Sequence, residues 1–202
     1  MSELMQYYAA ERARLSALAA ADEPAGEYAH PVFGSGNPKA ALLLIGEAPG
    51  AEETKQGKPF VGKAGKQLSE LLELMRLTRD EIYITNTVKY RPVVRSEKTV
   101  RNRTPGRGEI ASSLPLMKNE ILSVRPAVIA TLGNTPLGAV LLLANERKNT
   151  VGELHGRTVS IKIDGYETTL VPLYHPASGI YNRDLIPVMR QDAAFLGEHL
   201  VK

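Results

Sequence analysis

The sequence predicts a single α/β domain over residues 1–202, a three-layer α/β/α sandwich around a central, mainly parallel four-stranded sheet. Three observations lead to this fold class. Short, wholly apolar runs of the kind found in strands buried on both faces occur at residues 41–46 and 127–133. They alternate with segments whose leucines recur at helical spacing, as expected for a parallel sheet covered on both faces. A chain of 202 residues is long enough for one well-buried domain and too short for two ordinary ones.

The first half of the chain is predicted to contain two helices and two strands. Residues 3–20 form the first helix, and the apolar run at 41–46 is the first strand of the sheet. A second helix at 65–77 repeats leucines at helical spacing. The second strand, within residues 81–90, is expected to end near Asn86.

The second half of the chain continues the alternation. Its predicted elements are a helix at 109–123, a strand at 127–133, a helix that runs to Ala144 and a last helix at 184–200. Asn134 or Thr135 is expected to cap the helix that follows the strand. Asp164-Gly165 lies between two alternating apolar segments and predicts a two-residue hairpin turn.

Composition excludes several classes of protein. The sequence contains no cysteine, which rules out disulfides, thiolate nucleophiles and cysteine-held metal clusters. No apolar stretch approaches the roughly 20 residues that a membrane span needs, and the first helix has no signal-peptide core. The expected location is therefore cytoplasmic, with no membrane segment. We also expect a monomer that has no metal or cofactor.

A basic segment stands out against the modest net charge of the chain. Residues 87–108 contain seven cations and a single acid, and the polar part from 91 to 108 is predicted to be a long loop. One basic band on a mildly acidic body is typical of a surface that meets a polyanion. The cations expected to make such contacts are Lys89, Arg91, Arg95, Arg101 and Arg103. A charged loop that only faces solvent is the alternative.

Candidate site residues occur where the predicted strands end. In open α/β sheets ligands bind outside the carboxyl ends of the strands, and the loops at those ends are 46–53, 86–91, 133–134 and 174–178. Their polar side chains include Glu47, Glu53, Asn86 and His175, with Phe60 just behind the first loop. Each also has an ordinary explanation, as a solvated carboxylate, a turn amide, a loop histidine or a core aromatic.

Taken together, these residue types suit a nucleobase better than a phosphate. An amide offers a donor and an acceptor side by side, as a base edge does, and an aromatic ring can stack on a base. Imidazole can donate to an oxygen that gains negative charge as a bond breaks. A carboxylate can stabilise a cationic sugar or orient water, as in glycoside hydrolysis. The carboxylates of the first loop would repel a phosphate.

At these residues the sequence resembles the uracil-DNA glycosylase superfamily, and in particular its family 4. The stretches concerned lie within residues 41–178 and are "GEAPGAEETKQGKPFVGKAG", "ITNTVKYRP", "NRTPGRGEI", "TLGNT" and "YHPAS". The first and the last correspond to the two signature motifs of the family. The resemblance implies a glycosylase-like sandwich that flips uracil out of DNA and hydrolyses its N-glycosidic bond, leaving an abasic site. It implies a monofunctional enzyme whose partner is uracil-containing DNA.

The resemblance also implies roles for individual residues. Glu47 and His175 are the expected catalytic groups. Glu47 acts on water or on the sugar cation, and His175 donates to uracil O2. Phe60 stacks on the base, Asn86 pairs with its Watson–Crick edge, and Glu53 lines the pocket near the uracil 5-position.

Further residues are expected to complete the base pocket and the DNA surface. The peptides after Gly46 offer backbone donors, and Ala48 stands where other branches of the superfamily have a catalytic Asp or Asn. In addition to the basic residues, the expected DNA contacts are Asn134, Ser178, Ile180 and Tyr181. Ile180 would fill the gap left by the flipped base, and Tyr181 would stack where the family has a basic residue.

One feature of the family is not expected here. Family 4 members hold a 4Fe–4S cluster with four cysteines, and two of those positions are Tyr90 and Ser113 in this chain. Neither is a usual cluster ligand, so we expect no cluster. Two alternative functions stay open, a catalytically weak uracil-DNA-binding protein and a glycosylase for another deaminated base such as hypoxanthine.

Overall fold

The structure is a computed structural model that describes residues 3–21 and 26–200. Its strands, in chain order, are β1 (Gly26–Glu27), β2 (Ser35–Gly36), β3 (Leu42–Gly46), β4 (Tyr83–Asn86), β5 (Arg91–Arg95), β6 (Val100–Asn102), β7 (Val128–Leu132), β8 (Val159–Ile163) and β9 (Tyr166–Leu173). Its helices are α1 (Glu3–Ala20), α2 (Ala51–Gln56), α3 (Lys63–Leu74), α4 (Arg107–Val124), α5 (Asn134–Leu143), α6 (Val151–Leu154), α7 (Ser178–Tyr181) and α8 (Leu185–Leu200). A short 3-10 turn lies at Arg79–Glu81.

The main sheet has six strands in the order β2-β4-β3-β7-β9-β8. Its four central strands, β4, β3, β7 and β9, run parallel. The edge strands β2 and β8 pair antiparallel with their neighbours. The predicted parallel centre is therefore present, but the predicted total of four strands is wrong because two antiparallel edge strands extend the sheet.

Alternate residues of the central strands face two different helical layers. Leu42 and Leu44 of β3 belong to an apolar cluster with α3 and α8. Leu43 and Ile45 belong to a second cluster with α4 and α5 on the other face. Each fully buried leucine of this kind contributes roughly 1.5–3 kcal/mol of hydrophobic free energy. The result is the expected three-layer α/β/α arrangement. Within the described ranges, no helix combines the length and the apolar character that crossing a membrane would require.

The basic segment is a β-hairpin rather than the predicted loop. Strands β5 and β6 pair antiparallel, and β1 adds a third strand on the other side of β5. In the connecting turn the hydroxyls of Ser96 and Thr99 are 2.8 Å apart, within hydrogen-bonding distance. A cluster containing Leu15, Tyr28 and Tyr90 packs beside this small sheet. The polar composition of the segment concealed its strands, because one face of the hairpin is exposed.

Two predicted local features have different outcomes. Asp164 and Gly165 form the expected hairpin turn between β8 and β9, with φ values of 46° and 83°. The expected side-chain cap of α5 is absent from the described structure, because Gly133 occupies the capping position. Asn134 Oδ1 accepts instead from the Val151 amide at 2.8 Å. Thr135 donates to a carboxylate in the first loop.

Candidate active site

Three loops at the carboxyl ends of the parallel strands surround one pocket of about 380 Å³. The loops after β3, β4 and β9 contribute to it, as the parallel arrangement predicts, whereas the described lining contains no residue of the fourth predicted loop, 133–134. Its lining includes Ala48, Glu53, Phe60, Asn86, Asn102 and His175. The structure thus brings together side chains that are up to about 130 positions apart in the sequence.

The floor of the pocket depends on the absence of a side chain at Gly46. A Cβ atom at this position would lie 2.4 Å from Asn86 Oδ1 and 2.5 Å from the Phe60 ring. Contacts this short are not tolerated by packed atoms. Gly46 therefore allows the amide and the aromatic ring to approach the end of β3 together.

Phe60 is held in a backbone conformation that is rare for a bulky residue. Its φ is 55°, in the left-handed region, and its side chain is almost fully buried. Arg79 Nη2 donates to the Phe60 carbonyl oxygen at 2.7 Å and to the Gly65 carbonyl oxygen at 3.0 Å. A Cβ at Gly65 would lie 1.9 Å from the Phe60 oxygen. The orientation of the ring is therefore fixed by its surroundings, at a backbone cost of about 1–3 kcal/mol.

The carboxylate of Glu53 braces the first loop. Its Oε1 accepts from the amides of Val61 and Gly62 at 3.0 and 2.8 Å, and its Oε2 accepts from the Gly50 amide at 3.1 Å. Glu53 lies in the pocket lining, and a contact with the base stays a prediction. The sequence did not reveal that the carboxylate also holds three backbone donors.

Asn86 presents a buried amide without a hydrogen-bonding partner. It ends β4, and only 2% of its surface is exposed. Within residues 3–21 and 26–200, its side-chain amide makes no hydrogen bond, and the polar atoms of the amide are not fully enclosed by protein. The amide lines the pocket beside Phe60. A ligand in the pocket would satisfy this donor and acceptor.

His175 is prepared to act as a neutral donor. Its Nδ1 accepts from the Ala177 amide at 3.1 Å, so the ring proton is placed on Nε2. Burial lowers the pKa of His175, and the nearby Glu53 carboxylate only partly offsets this shift. The ring lies 6.2 Å from the Phe60 ring, between centroids. Around neutral pH, His175 therefore has one ring N–H to offer.

Glu47 stands at the rim of the pocket. The described lining contains its neighbour Ala48 but not Glu47 itself. Glu47 Oε2 accepts from Thr135 Oγ1 at 2.6 Å, across the gap to α5. Its backbone oxygen accepts from the Val88 amide at 3.1 Å. Thr135 was missed as a site residue, because the sequence placed it only as a helix cap.

The basic residues of the predicted polyanion surface divide into three groups. Lys89 is fully buried and its Nζ lies 2.5 Å from Glu120 Oε2, so the expectation that it contacts DNA is wrong. Arg91 pairs with Glu27, and Arg103 pairs with Glu109. Arg95 and Arg101 are exposed on the hairpin.

The remaining predicted contact residues lie on α5 and α7, the helices that follow β7 and β9, and none of them is in the pocket lining. Ile180 and Tyr181 on α7, shortly after His175, are 49% and 89% exposed. Ser178 starts this helix and is half-buried, and Asn134, the first residue of α5, is exposed. Lys63, at the start of α3, also lines the pocket and was missed by the sequence analysis. Nothing in the composition around Lys63 distinguishes it from an ordinary surface lysine.

The residues at the expected cluster positions do not fit an iron–sulfur cluster. Tyr90 Oη donates to Glu109 Oε1 at 2.8 Å, and its ring packs on Tyr28 with centroids 4.5 Å apart. Ser113 Oγ donates to the Glu109 carbonyl oxygen at 2.8 Å. Both hydroxyl groups are already hydrogen-bonded, and neither is a thiolate. Ring packing with Tyr28 and hydrogen bonds to Glu109 hold the two residues at these positions.

The fold and the pocket together define a class of site. A stacking ring, an unpaired amide and an imidazole donor surround one cavity at the carboxyl edge of an α/β/α sandwich, and they suit a flat, hydrogen-bonding heterocycle. The family model described as "Uracil DNA glycosylase superfamily" matches residues 33–195. The chain belongs to the uracil-DNA glycosylase superfamily, as its motifs indicated.

Similar proteins from several organisms agree with this assignment. A type-4 uracil-DNA glycosylase of Saccharolobus solfataricus is 39% identical over 162 residues, which cover 80% of this chain and 72% of that protein. One from Pyrobaculum aerophilum is 35% identical, covering 81% of this chain and 80% of the relative. One from Thermotoga maritima is 35% identical, covering 75% and 72%. The predicted resemblance to family 4 is confirmed.

Proposed function

We propose that this chain is a single-domain uracil-DNA glycosylase, which hydrolyses the N-glycosidic bond of uracil in DNA and leaves an abasic site. Its superfamily and its type-4 relatives support this proposal. The observation that carries it is the buried, unpaired amide of Asn86 beside the Phe60 ring and the His175 imidazole. The amide NH₂ suits uracil O4, and Oδ1 suits uracil N3–H.

His175 stabilises the leaving group. When the C1′–N1 bond breaks, its electron pair stays with N1 and spreads onto O2 of the uracil anion. A neutral imidazole whose Nδ1 already accepts from Ala177 has its Nε2–H available for that oxygen. A donor fixed in advance needs no reorganisation during bond cleavage, so it favours the transition state over the ground state.

Glu47 acts on the sugar side of the bond. The departing uracil leaves an oxocarbenium-like cation, which a nearby carboxylate stabilises. Thr135 holds one oxygen of Glu47, and in the described part of the chain the other oxygen makes no hydrogen bond. This free oxygen orients the water whose oxygen bonds to C1′, and it takes the proton that the water loses.

The DNA path runs from the hairpin over the pocket to α7. Arg95 and Arg101 supply exposed cations on one side, and Ile180 and Tyr181 supply apolar surface on the other. A groove of about 740 Å³ beside the hairpin is lined by Arg95, Lys55 and other residues. Phosphates follow the cations, and Ile180 fills the gap left by the flipped base. The monomeric state and the cytoplasmic location stay predictions.

One assay decides between the candidate functions. Excess protein is incubated with labelled single- and double-stranded oligonucleotides that contain uracil, thymine, hypoxanthine or xanthine, and alkali then reveals abasic sites. We expect release of uracil from single-stranded DNA and from U:G pairs. Strands should stay intact until alkali is added. Breakage before alkali would indicate Schiff-base chemistry by Lys63 and would contradict a monofunctional hydrolase.

The other outcomes are equally specific. If uracil DNA binds but stays uncut under excess enzyme, the protein is a uracil-DNA-binding protein. If hypoxanthine or xanthine is released and uracil is not, the pocket serves another deaminated base. Either result overturns the proposed activity.

Replacing Glu47 by Gln is expected to slow uracil release by on the order of 10²-fold. The Gln amide oxygen can still accept from Thr135, so the substitution removes the charge and preserves the contact. Thr135→Val should cost less, roughly tenfold, because it removes one hydrogen bond to a charged group. Single-turnover rates at saturating enzyme measure both effects. Glu198→Gln, which changes an exposed carboxylate of α8 outside the pocket lining, is the matched control. A wild-type rate for Glu47→Gln would remove Glu47 from the mechanism.

Neutralising Arg95 and Arg101 together should weaken binding to any DNA and flatten its salt dependence. Each lost phosphate contact lowers the log–log slope by about 0.9 on duplex DNA and about 0.7 on single strands. Salt titrations of binding measure the slopes. The control neutralises Lys118 and Lys162, which lie in surface ion pairs near the β8–β9 turn. Coincident slopes for wild type and the arginine variant would mean that the hairpin does not meet DNA.

A further inference from the structure

An ion pair lies fully buried behind the pocket. The side chains of Lys89 and Glu120 are both 0% exposed, and they join the segment between β4 and β5 to α4. Removing two charges from water is costly, and a buried ion pair is often no more stabilising than apolar residues of the same size. Stabilisation of the fold alone is therefore a weak explanation for the presence of this ion pair.

All three donors of the Lys89 ammonium have acceptors. Nζ lies 2.5 Å from Glu120 Oε2, 2.7 Å from Thr85 Oγ1 and 2.5 Å from the backbone oxygen of Asn86. Burial lowers the pKa of Lys89 and the Glu120 carboxylate opposes this shift. The ammonium therefore ties the carboxylate to the peptide that follows Asn86.

The carboxylate is anchored on its far side. Glu120 Oε1 accepts from the Tyr8 hydroxyl at 2.6 Å and from the Thr85 hydroxyl at 2.9 Å. The Tyr8 hydroxyl lies 2.6 Å from that of Tyr83. This network connects α1, β4 and α4. The contacts of Glu120 Oε2 with Thr85 and Lys89 do not involve the Tyr8 hydroxyl, which donates to Oε1.

The orientation of the Asn86 side chain depends on the conformation of its backbone. In the described structure the side-chain amide of Asn86 makes no hydrogen bond. Gly46, which lies opposite, restricts the orientation of this amide only through van der Waals contact. The backbone amides of the next two residues, Thr87 and Val88, donate to the backbone oxygens of Gly46 and Glu47. The Asn86 carbonyl is held by the ammonium of Lys89. A rotation of that peptide would turn the amide away from the base.

We propose that Lys89, neutralised by Glu120, is a positioning residue that aims the Asn86 amide at the base and thereby sets the rate of uracil release. The inference rests on the proposed glycosylase function. Lys89 touches neither substrate nor reacting atoms, and its effect passes entirely through Asn86.

The test is a double-mutant cycle between the ion pair and Asn86. Lys89→Met/Glu120→Gln replaces both charges, and the Gln oxygen can still accept from Tyr8 and Thr85. We expect single-turnover uracil release to fall roughly 10- to 100-fold, as for a misplaced recognition group, while binding to undamaged DNA is unchanged. In an Asn86→Ala background the same pair of substitutions should cause no further loss.

Tyr8→Phe is the matched control, because it removes a hydrogen bond of the same network without touching the Asn86 carbonyl. It should lower Tm and leave the rate of uracil release unchanged. If Lys89→Met/Glu120→Gln does not fold, Lys89→Gln/Glu120→Gln keeps polar atoms at both positions and serves in the same cycle.

Two results would overturn the inference. One is an equal loss of rate with and without Asn86, and the other is a lower Tm with a normal rate. A wild-type protein that releases no uracil would instead contradict the proposed function, so the two failures are distinguishable.

Discussion

His175→Ala is expected to reduce single-turnover uracil release by on the order of 10²- to 10³-fold, the effect of removing one preorganised donor at a developing oxyanion. The imidazole Nε2–H is the donor that the structure makes available, since Nδ1 is occupied by the Ala177 amide. Binding of uracil-containing DNA should change much less, because the hydrogen bond strengthens mainly as charge develops on O2.

The pH dependence follows from the lowered pKa of His175. Burial disfavours the imidazolium and lowers the pKa of His175 below the ordinary 6.5 of a histidine, and the Glu53 carboxylate opposes part of this shift. The rate ratio of wild type to His175→Ala should therefore titrate with a midpoint below pH 6.5. His199→Ala, an exposed histidine of α8, is the control. A wild-type rate in His175→Ala, or a ratio that titrates near pH 6.5, would contradict the neutral-donor role.

Asn86→Asp is expected to abolish most uracil excision, with a loss of at least about 10²-fold. The substitution keeps the shape of the side chain but exchanges the NH₂ donor for an acceptor opposite uracil O4. It also places a carboxylate at a position with 2% exposure, where a charge without a partner is costly. Matched oligonucleotides containing uracil or cytosine measure the effect, since the new acceptor suits the cytosine amino group.

Stability must be separated from recognition in this experiment. Thermal melting of Asn86→Asp shows whether the variant is folded. Asn149→Asp is the control, because Asn149 lies in the loop before α6 and its side chain donates to a backbone oxygen of that same loop. Uracil release at the wild-type rate by folded Asn86→Asp would mean that Asn86 is a turn residue with no part in base recognition.

The parts of the fold that follow from local pattern could be predicted from the sequence. The apolar runs that became β3 and β7 are buried at every position, so their composition alone identified central strands. Because parallel strands end at one edge, the meeting of Asn86 and His175 followed from the strand assignment. The hairpin β5–β6 was missed, since its exposed, charged face has the composition of a loop.

The contacts that could not be predicted are those between distant parts of the chain. Lys89 lies in a basic segment, and its burial depends on Glu120, which is 31 positions away. Thr135 is 88 positions from Glu47, the carboxylate that it holds. The left-handed backbone of Phe60 depends on Arg79 and on the space left at Gly65. The periodicity of apolar residues cannot predict such contacts, because each contact joins a single side chain to a single partner far away in the sequence.

The turn at Asp164-Gly165 has a practical consequence. It precedes β9, whose opposite end leads to His175, so the length of that strand separates the turn from the pocket. Eight residues of extended chain span roughly 26 Å. The side chain of Asp164 is 55% exposed, and its carboxylate lies 2.7 Å from Lys118 Nζ in a surface ion pair. A fluorophore or a surface tether introduced through Asp164→Cys would carry the chain's single thiol and would leave the DNA path unobstructed during single-molecule observation.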